Sequence, residues 1–223
     1  MGYQWDFNWL IPYLPDLLSG VSVTLRLILI GAVLGVGLGI LCAWARSLGP
    51  AWAKPIVGLY VELIRNTPFL IQLFFIFFGL PALGLKMTQF QAASLAMVIN
   101  LGAYGCEIIR AGIQATPRGQ FEAGASLAMS PIQTFRHVVL VPALQRIWPA
   151  LSSQIVIVML GSSVVSQISV EDLTFVASYI QSRNFRAFET YIVSAVIYLL
   201  LAILIRQVLV LVGRLIFPRR STR

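Results

Sequence analysis

"QFEAGASLAMSP", residues 120–131, is the stretch on which the reading of this chain turns. One acid, Glu122, stands among very small side chains, Ala123, Gly124, Ala125, Ser126 and Ala128, while the sequence to either side is lipid-like. A helix faced with alanine and glycine buries little surface of its own and lets another surface come close to its backbone. Such a segment suits docking into a partner's cleft. On composition alone, an alanine-rich linker helix fits it equally well.

The surroundings set the class. Of 223 residues, 58% are hydrophobic and 11% charged, against about 25% charged in soluble domains, and the mean hydropathy is +0.86. This is the composition of an all-α polytopic membrane protein. The net charge of +8 raises nucleic-acid binding as an option, but the basic residues punctuate apolar runs instead of forming a stripe, which argues against a nucleic-acid partner. Cys42 and Cys106 fall inside apolar runs and read as packed thiols. No metal-ligand spacing occurs, and the lone His137 reads as a loop residue. The early charges, Asp6 and Asp16, are acidic, so the first apolar run is expected to be a retained helix and not a cleaved leader.

A span needs about 20 mostly apolar residues to cross about 30 Å of hydrocarbon. On that criterion the chain is a single domain, 1–223, with five transmembrane helices at about 19–45, 56–80, 87–112, 148–170 and 190–214. With the N-terminus outside and the C-terminus inside, the inner side receives Arg46, Lys54, Arg110, Arg118, Arg136, Arg146, Arg206, Arg214, Arg219, Arg220 and Arg223. The outer loops then hold only Lys86, Arg183 and Arg186, which is the expected positive-inside asymmetry.

The longest inner connection, 113–147, divides into pieces. Pro117-Arg118-Gly119 makes a turn, and 120–129 reads as a short helix. Ser130 and Pro131 are the N-cap and first-turn proline of a second helix, which is expected to run over 132–140 and to stop at Pro142. Its apolar residues recur at spacings of three and four, so it should lie against an apolar surface.

Charged and polar groups within spans are the other candidates, because such groups are costly there and face a bundle interior or a cavity. Glu62 with Arg65, and Glu107 with Arg110, are each three apart and can meet on one helix face, either neutralising each other or lining a gate. Thr67-Pro68 interrupts the second span, as is tolerated where backbone is buried in protein or lines a path. Asn100 and Tyr104 share a face of the third. Ser162, Ser163, Ser166 and Gln167 mark the fourth, where small hydroxyls serve helix packing or the path. Gly31, Gly35 and Gly39 repeat at four and read as a packing seam.

The string "AYGCEIIRAGIQATPRGQFEAGASLAMSPIQTFRHVVLVPALQRIWPALSSQ", residues 103–154, resembles the permease subunits of ATP-binding-cassette importers, in particular those for polar amino acids such as histidine, glutamine and arginine. Their hallmark is a Glu-Ala-Ala triplet followed by a glycine and a distal hydrophobic-x-Pro; here it reads Glu122-Ala123-Gly124, Ala128 and Leu140-Val141-Pro142. Both departures stay small. "LLSGVSVTLRL" at 17–27, "YVELIRNTPFLIQLFFIFFGLP" at 60–81 and "AYGCEIIRAGI" at 103–113 extend the resemblance over nearly the whole chain.

The resemblance implies that 120–129 is a coupling helix, with Glu122, Ala123, Gly124, Ala128 and Pro131 at the ATPase junction. It implies Glu62, Arg65, Thr67, Asn100, Tyr104, Glu107, Arg110 and Ser163 as path or gate residues. The implied partners are a cytoplasmic ATP-binding subunit dimer, a second permease, a periplasmic or extracellular substrate-binding protein and an amino-acid substrate, in a bacterial inner membrane. The chain has no G-x-x-x-x-G-K-[ST], so it is expected to bind no cofactor and catalyse nothing itself; ATP and magnesium belong to the partner ATPase. Where relatives commonly carry Lys-Asp-Thr-Ser, this chain has Leu160-Gly161-Ser162-Ser163. That loss of charge points to a substrate needing no acidic anchor or to a non-identical second permease that supplies one. An opine or other amino-acid derivative is an alternative substrate. A secondary transporter would show inverted repeats, and an intramembrane enzyme a catalytic pair within the spans; neither pattern is present.

Overall fold

The computed structural model describes residues 4–217, so Arg219, Arg220 and Arg223 of the orientation count lie outside the described residues. Within these bounds the regular structure is entirely helical. The first helix, α1, runs Leu10–Ser47, beyond the expected span at both ends and with Pro15 in its second turn. At 38 residues it is about 57 Å long, well over the hydrocarbon thickness.

Next come α2, Ala53–Arg65, and α3, Phe69–Ala82, bent by 112° to one another. The interruption expected at Thr67-Pro68 in the span over 56–80 is therefore present, as a sharp bend. Pro68 is the reason: it stands in extended backbone (ψ 140°) as the N-cap of α3 and offers no N–H to a continuing helix. Then follow α4, Gln89–Gln114, opened by a capping box of Thr88 and Gln91, and the short α5, Arg118–Ser126.

A continuous helical segment, α6, covers Pro131–Ile168. This corrects two expectations: Pro142 does not end a helix, and the fourth span does not start afresh at 148. A π-type turn at Phe135–Val139 comes just before Pro142, and another at Phe75–Gly79 comes just before Pro81. Such a widened turn displaces the carbonyl that the proline ring would strike, and the helix continues through. His137 lies in this turn, exposed, and not in a loop. The last turns, Ser162–Ile168, tighten to 3₁₀ and end at Ser169 in left-handed backbone (φ 59°). The outer connection expected over 171–189 contains a further helix, α7, Leu173–Asn184, capped by Asp172. The final helix, α8, is Ala187–Ile216.

Direction follows from contacts. Gly31 lies against Met97, Gly35 against Leu101, and Gly39 against the Gly105–Cys106 backbone, so α1 and α4 run parallel in fixed register. A Cβ at Gly39 would sit 3.1 Å from the Gly105 carbonyl carbon, so any side chain there would push the two backbones apart. Since α1 and α4 run the same way, the bent pair between them must carry the chain back, which makes five crossings. Gly112 lies against Ala143 and Ile147 while Gly105 faces Leu151, so α6 is antiparallel to α4. At the starting end, α7 packs on Gly20 of α1, and the Leu173 N–H donates to Thr24 Oγ1 at 3.2 Å. One face of the bundle thus carries α7 and the α3–α4 turn, the other the α1–α2 turn and α5. Cys42 and Cys106 are buried free thiols, as expected.

Candidate functional site

The short helix α5 sits on the face opposite α7. Phe121 packs against the cluster containing Phe135 and Val139. Gly124 is buried, and a Cβ there would come within 2.6 Å of Thr134 Cγ2. With that side held to α6, Glu122, Ala123 and Leu127 face outward. Leu127 is 74% exposed, a large apolar side chain at the tip that the sequence reading passed over.

The helix ends in a Schellman motif: the Met129 N–H donates to the Gly124 carbonyl at 3.1 Å and the Ala128 N–H to the Ala125 carbonyl at 2.9 Å. Ala128 is the residue in left-handed backbone, φ 53°. Glycine is the usual occupant of that position, so the motif's glycine has a conformational reason beyond smallness, and this chain carries an alanine there at some cost. The two departures from the family motif thus have separate accounts. Gly124 makes room for Thr134, and Ala128 strains the backbone. Ser130 caps α6 as expected, accepting from the Gln133 N–H while the Gln133 side chain accepts from the Ser130 N–H, and Pro131 occupies the first turn. Arg146 donates to the Ala115 carbonyl, tying α6 to the end of α4.

The charged residues of the spans converge on one carboxylate. Glu107 pairs with Arg46 from the end of α1, with Arg110 at 2.7 Å, and with Arg65 from the end of α2 at 4.0 Å. The expected Glu107–Arg110 pair is present, but Arg65 turns to Glu107 and not to Glu62. Exposed Glu62 instead accepts from Asn66 Nδ2 at 3.0 Å. Arg65 also lies over the Tyr104 ring, 5.6 Å from its centroid, and the Tyr104 hydroxyl reaches the Arg65 carbonyl at 3.5 Å. Three guanidiniums around one carboxylate join three helices at a single point. Arg46, read from sequence as a loop charge, is part of this lock.

The break between α2 and α3 is held by a residue the sequence reading did not single out. Buried Gln72 donates to the Ile64 carbonyl at 2.7 Å and the Thr67 carbonyl at 2.9 Å, groups that the break leaves without helical partners. Asn100 of α4 donates to Gln72 Oε1 at 3.0 Å, and the Thr67 hydroxyl donates to the Leu63 carbonyl at 2.7 Å. Thr67 and Asn100 therefore belong to one polar cluster with Gln72, with Tyr104 beside it. A signal for Gln72 existed, since it is the one strongly polar residue over 69–80. Ser163 stands apart from that network, its hydroxyl donating back to the Leu160 carbonyl at 2.9 Å. Among the described residues no group of His, Cys, Asp and Glu has a metal-holding arrangement.

At the opposite face, Asp172 is fully buried, accepts from the Phe175 N–H at 2.9 Å and from the Tyr198 hydroxyl at 3.1 Å. Burial pushes its carboxyl up to about 6.

Comparison with known proteins places this arrangement. The family described as "Binding-protein-dependent transport system inner membrane component" matches residues 35–221. The glutamine transport system permease protein of Escherichia coli (strain K12) is 35% identical, over 94% of this chain and 95% of that protein. The arginine transport system permease protein of Bacillus subtilis (strain 168) is 32% identical, over 90% and 92%. A solved amino acid ABC transporter described with histidines superposes with a TM-score of 0.83 at 37% identity, covering 95% of this chain and 99% of that one. A methionine ABC transporter in inward-facing form shares the fold, with a TM-score of 0.74 at 20% identity.

Proposed function

The chain belongs to the family of binding-protein-dependent transport system inner membrane components, and from that premise we propose that it is the permease subunit of an importer for polar amino acids. The observation that carries the coupling role is α5, a short helix anchored by Phe121 and Gly124 that presents Glu122, Ala123 and Leu127 outward. A docked ATPase meets that surface. Ala123 lets it approach the backbone, Leu127 enters an apolar site on it, and Glu122 pairs with a donor at the cleft.

The face bearing α5 is cytoplasmic, since Lys54, Arg118, Arg136, Arg146 and Arg214 lie at that end, and the membrane is the bacterial inner membrane. A substrate-loaded binding protein docks on the outer face around α7. ATP and magnesium are bound by the partner ATPase, and this chain performs no chemistry.

Five crossings make half of a pathway, and a second, non-identical permease completes it. The Gln72–Asn100 cluster lies at the break in α2–α3, with Thr67 and Tyr104 beside it, so this helix pair is where the pathway wall can change shape. The Glu107 lock ties the ends of α1 and α2 to α4. Closure of the ATPases pulls α5, and α6 transmits the displacement because the two meet at Gly124 and Thr134.

The test is ATP-driven uptake by vesicles holding the full complex, against a panel of labelled amino acids with and without the binding protein. Uptake needing both supports the reading and names the substrate. Uptake needing neither overturns it. Glu122→Arg should insert normally yet lose co-purification with the ATPase; unchanged co-purification and transport would remove the coupling site from α5.

A further inference from the structure

Phe135, Val139 and Ala143 follow one another at steps of four along α6, and all three are buried in one cluster with Val61, Ile109 and Ile113. Each such step drifts by about 40° round a regular α-helix, so Phe135 and Ala143 would sit about 80° apart on one. The turn between them is wider than α: the Leu140 N–H donates to the Phe135 carbonyl, five residues back. A wider turn advances each residue by less, and Phe135 stays on the face that carries Ala143.

This turn lies between two fixed contacts. Before it, Thr134 is the residue on which Gly124 of α5 rests, and Phe121 packs on the cluster that holds Phe135. Beyond it, Ala143 and Ile147 lie against Gly112 of α4. The turn therefore sets the angle between the seat of α5 and the span. A π-type turn holds one residue more than α winding has room for. Regular α winding through it would rotate 131–135 by about 100° against the span and turn Thr134 and Phe135 out of their contacts.

What keeps the turn wide lies three residues downstream. In α geometry the Val138 carbonyl would meet the Pro142 ring, which has no N–H to offer it. The same pairing recurs at Phe75–Gly79, just before Pro81, where the side chains of the turn are otherwise different. The widened turn goes with the proline.

We propose that Pro142 is a positioning residue for coupling: its ring holds the Phe135–Val139 turn wide, and that width sets the angle at which α6 presents α5 to the ATPase. Pro142 acts through Thr134 and Phe135. The inference rests on the coupling role given to α5 above. The labelling described next needs neither substrate nor hydrolysis, so the two readings fail separately.

The experiment is thiol labelling of the assembled complex in nanodiscs with a membrane-impermeant maleimide. The reporter is Thr134→Cys, at a position 7% exposed, and the native Cys42 and Cys106 are buried. The reporter should be protected in the otherwise unaltered chain and lose that protection when Pro142→Ala is added. Deleting exposed His137 from the Pro142→Ala chain removes the surplus residue, so a regular α-helix then restores the original angle and the protection should return. Uptake of the labelled amino-acid panel per ATP hydrolysed should fall with Pro142→Ala and recover with the deletion. A purely structural proline would change the melting temperature without that recovery. Unchanged protection in Pro142→Ala overturns the proposal, as does a loss that the deletion does not reverse. Where Pro142→Ala fails to assemble, the deletion variant decides: assembly with a protected reporter supports the proposal, and failure overturns it.

Discussion

Helices α4 and α8 are both long enough to cross a membrane, yet they are buried to opposite extents. In their most apolar 18-residue windows, 61% of the residues of α4 are buried and only 6% of those of α8, although α8 is the more hydrophobic. In water that order would be reversed. In lipid, hydrophobic surface gains nothing by leaving the solvent, and helices associate through close packing and interhelical hydrogen bonds. Accordingly α4 offers Gly102, Ala103, Gly105, Gly112 and Asn100 to its neighbours, and α8 offers Leu199, Leu200, Ile203 and Leu204 to the outside. Small and polar residues set α4 apart from α8, and they pack beside buried Met97, Leu101 and Ile109 on the same helix.

Substitutions in the two regions should separate accordingly. Gly39→Leu drives a side chain into the Gly105–Cys106 backbone, which cannot rotate away, and should abolish assembly, read as loss of a monodisperse complex in detergent. The same volume change outside, Leu204→Ala, should shift stability by less than about 0.5 kcal/mol. Comparable losses from both would break the comparison.

Where the glycine seam continues into α7, Asp172 gives a pH-dependent test. Its carboxyl stands at about 6 against an ordinary 3.8 because burial disfavours the charge. A raised folded value means that the contribution is fully present below about 3.8 and is lost as pH rises through about 6. Thermal stability should therefore fall between about pH 4 and pH 6 and level off above that, by up to about 3 kcal/mol from this group. Asp172→Asn, which retains the cap, should flatten that profile. An unchanged slope in the variant would show that another group titrates.

Gln72→Leu tests the polar centre. Apolar and nearly isosteric, it strands the Ile64 and Thr67 carbonyls and the Asn100 amide, at about 1–3 kcal/mol. Thermal melting should show the loss, with uptake falling further than stability if the break is a moving part. A smaller effect than that of Gln72→Leu belongs to Ala128→Gly, which relieves the left-handed backbone and should stabilise the complex by about 1 kcal/mol. Gly124→Ala should do the opposite, and Thr134→Ser, by removing the methyl that sits where the new Cβ would go, should recover part of the loss.

Much of this was legible in the sequence, and the failures share a cause. A short helix here (expected over 120–129 after a turn at 117–119, and found at Arg118–Ser126), its outward Glu122, the Ser130–Pro131 start, the glycine seam and the Glu107–Arg110 pair were readable because each depends on neighbours within about a turn of helix. The misreadings came at prolines. From the sequence Pro142 reads as a stop, and the interruption at Pro68 is legible without the size of its bend, 112°. A proline's effect depends on whether the preceding turn can widen and whether a distant group can satisfy the freed carbonyls, and neither condition is local. Gln72 stood out in its apolar run, but its purpose appears only when α2 and α4 lie beside it.

By itself the sequence determined the membrane class, the apolar runs, the charge asymmetry and the short helix before Ser130–Pro131, because bilayer thickness and backbone capping act on residues close together in the chain. Tertiary structure decided which helices pair, that Arg46, Arg65 and Arg110 share one carboxylate, that α2 and α3 meet at 112°, and that a groove opens between α6 and α8. These depend on which surfaces meet across the bundle, and in lipid that choice rests on steric fit and hydrogen bonding between residues far apart in sequence.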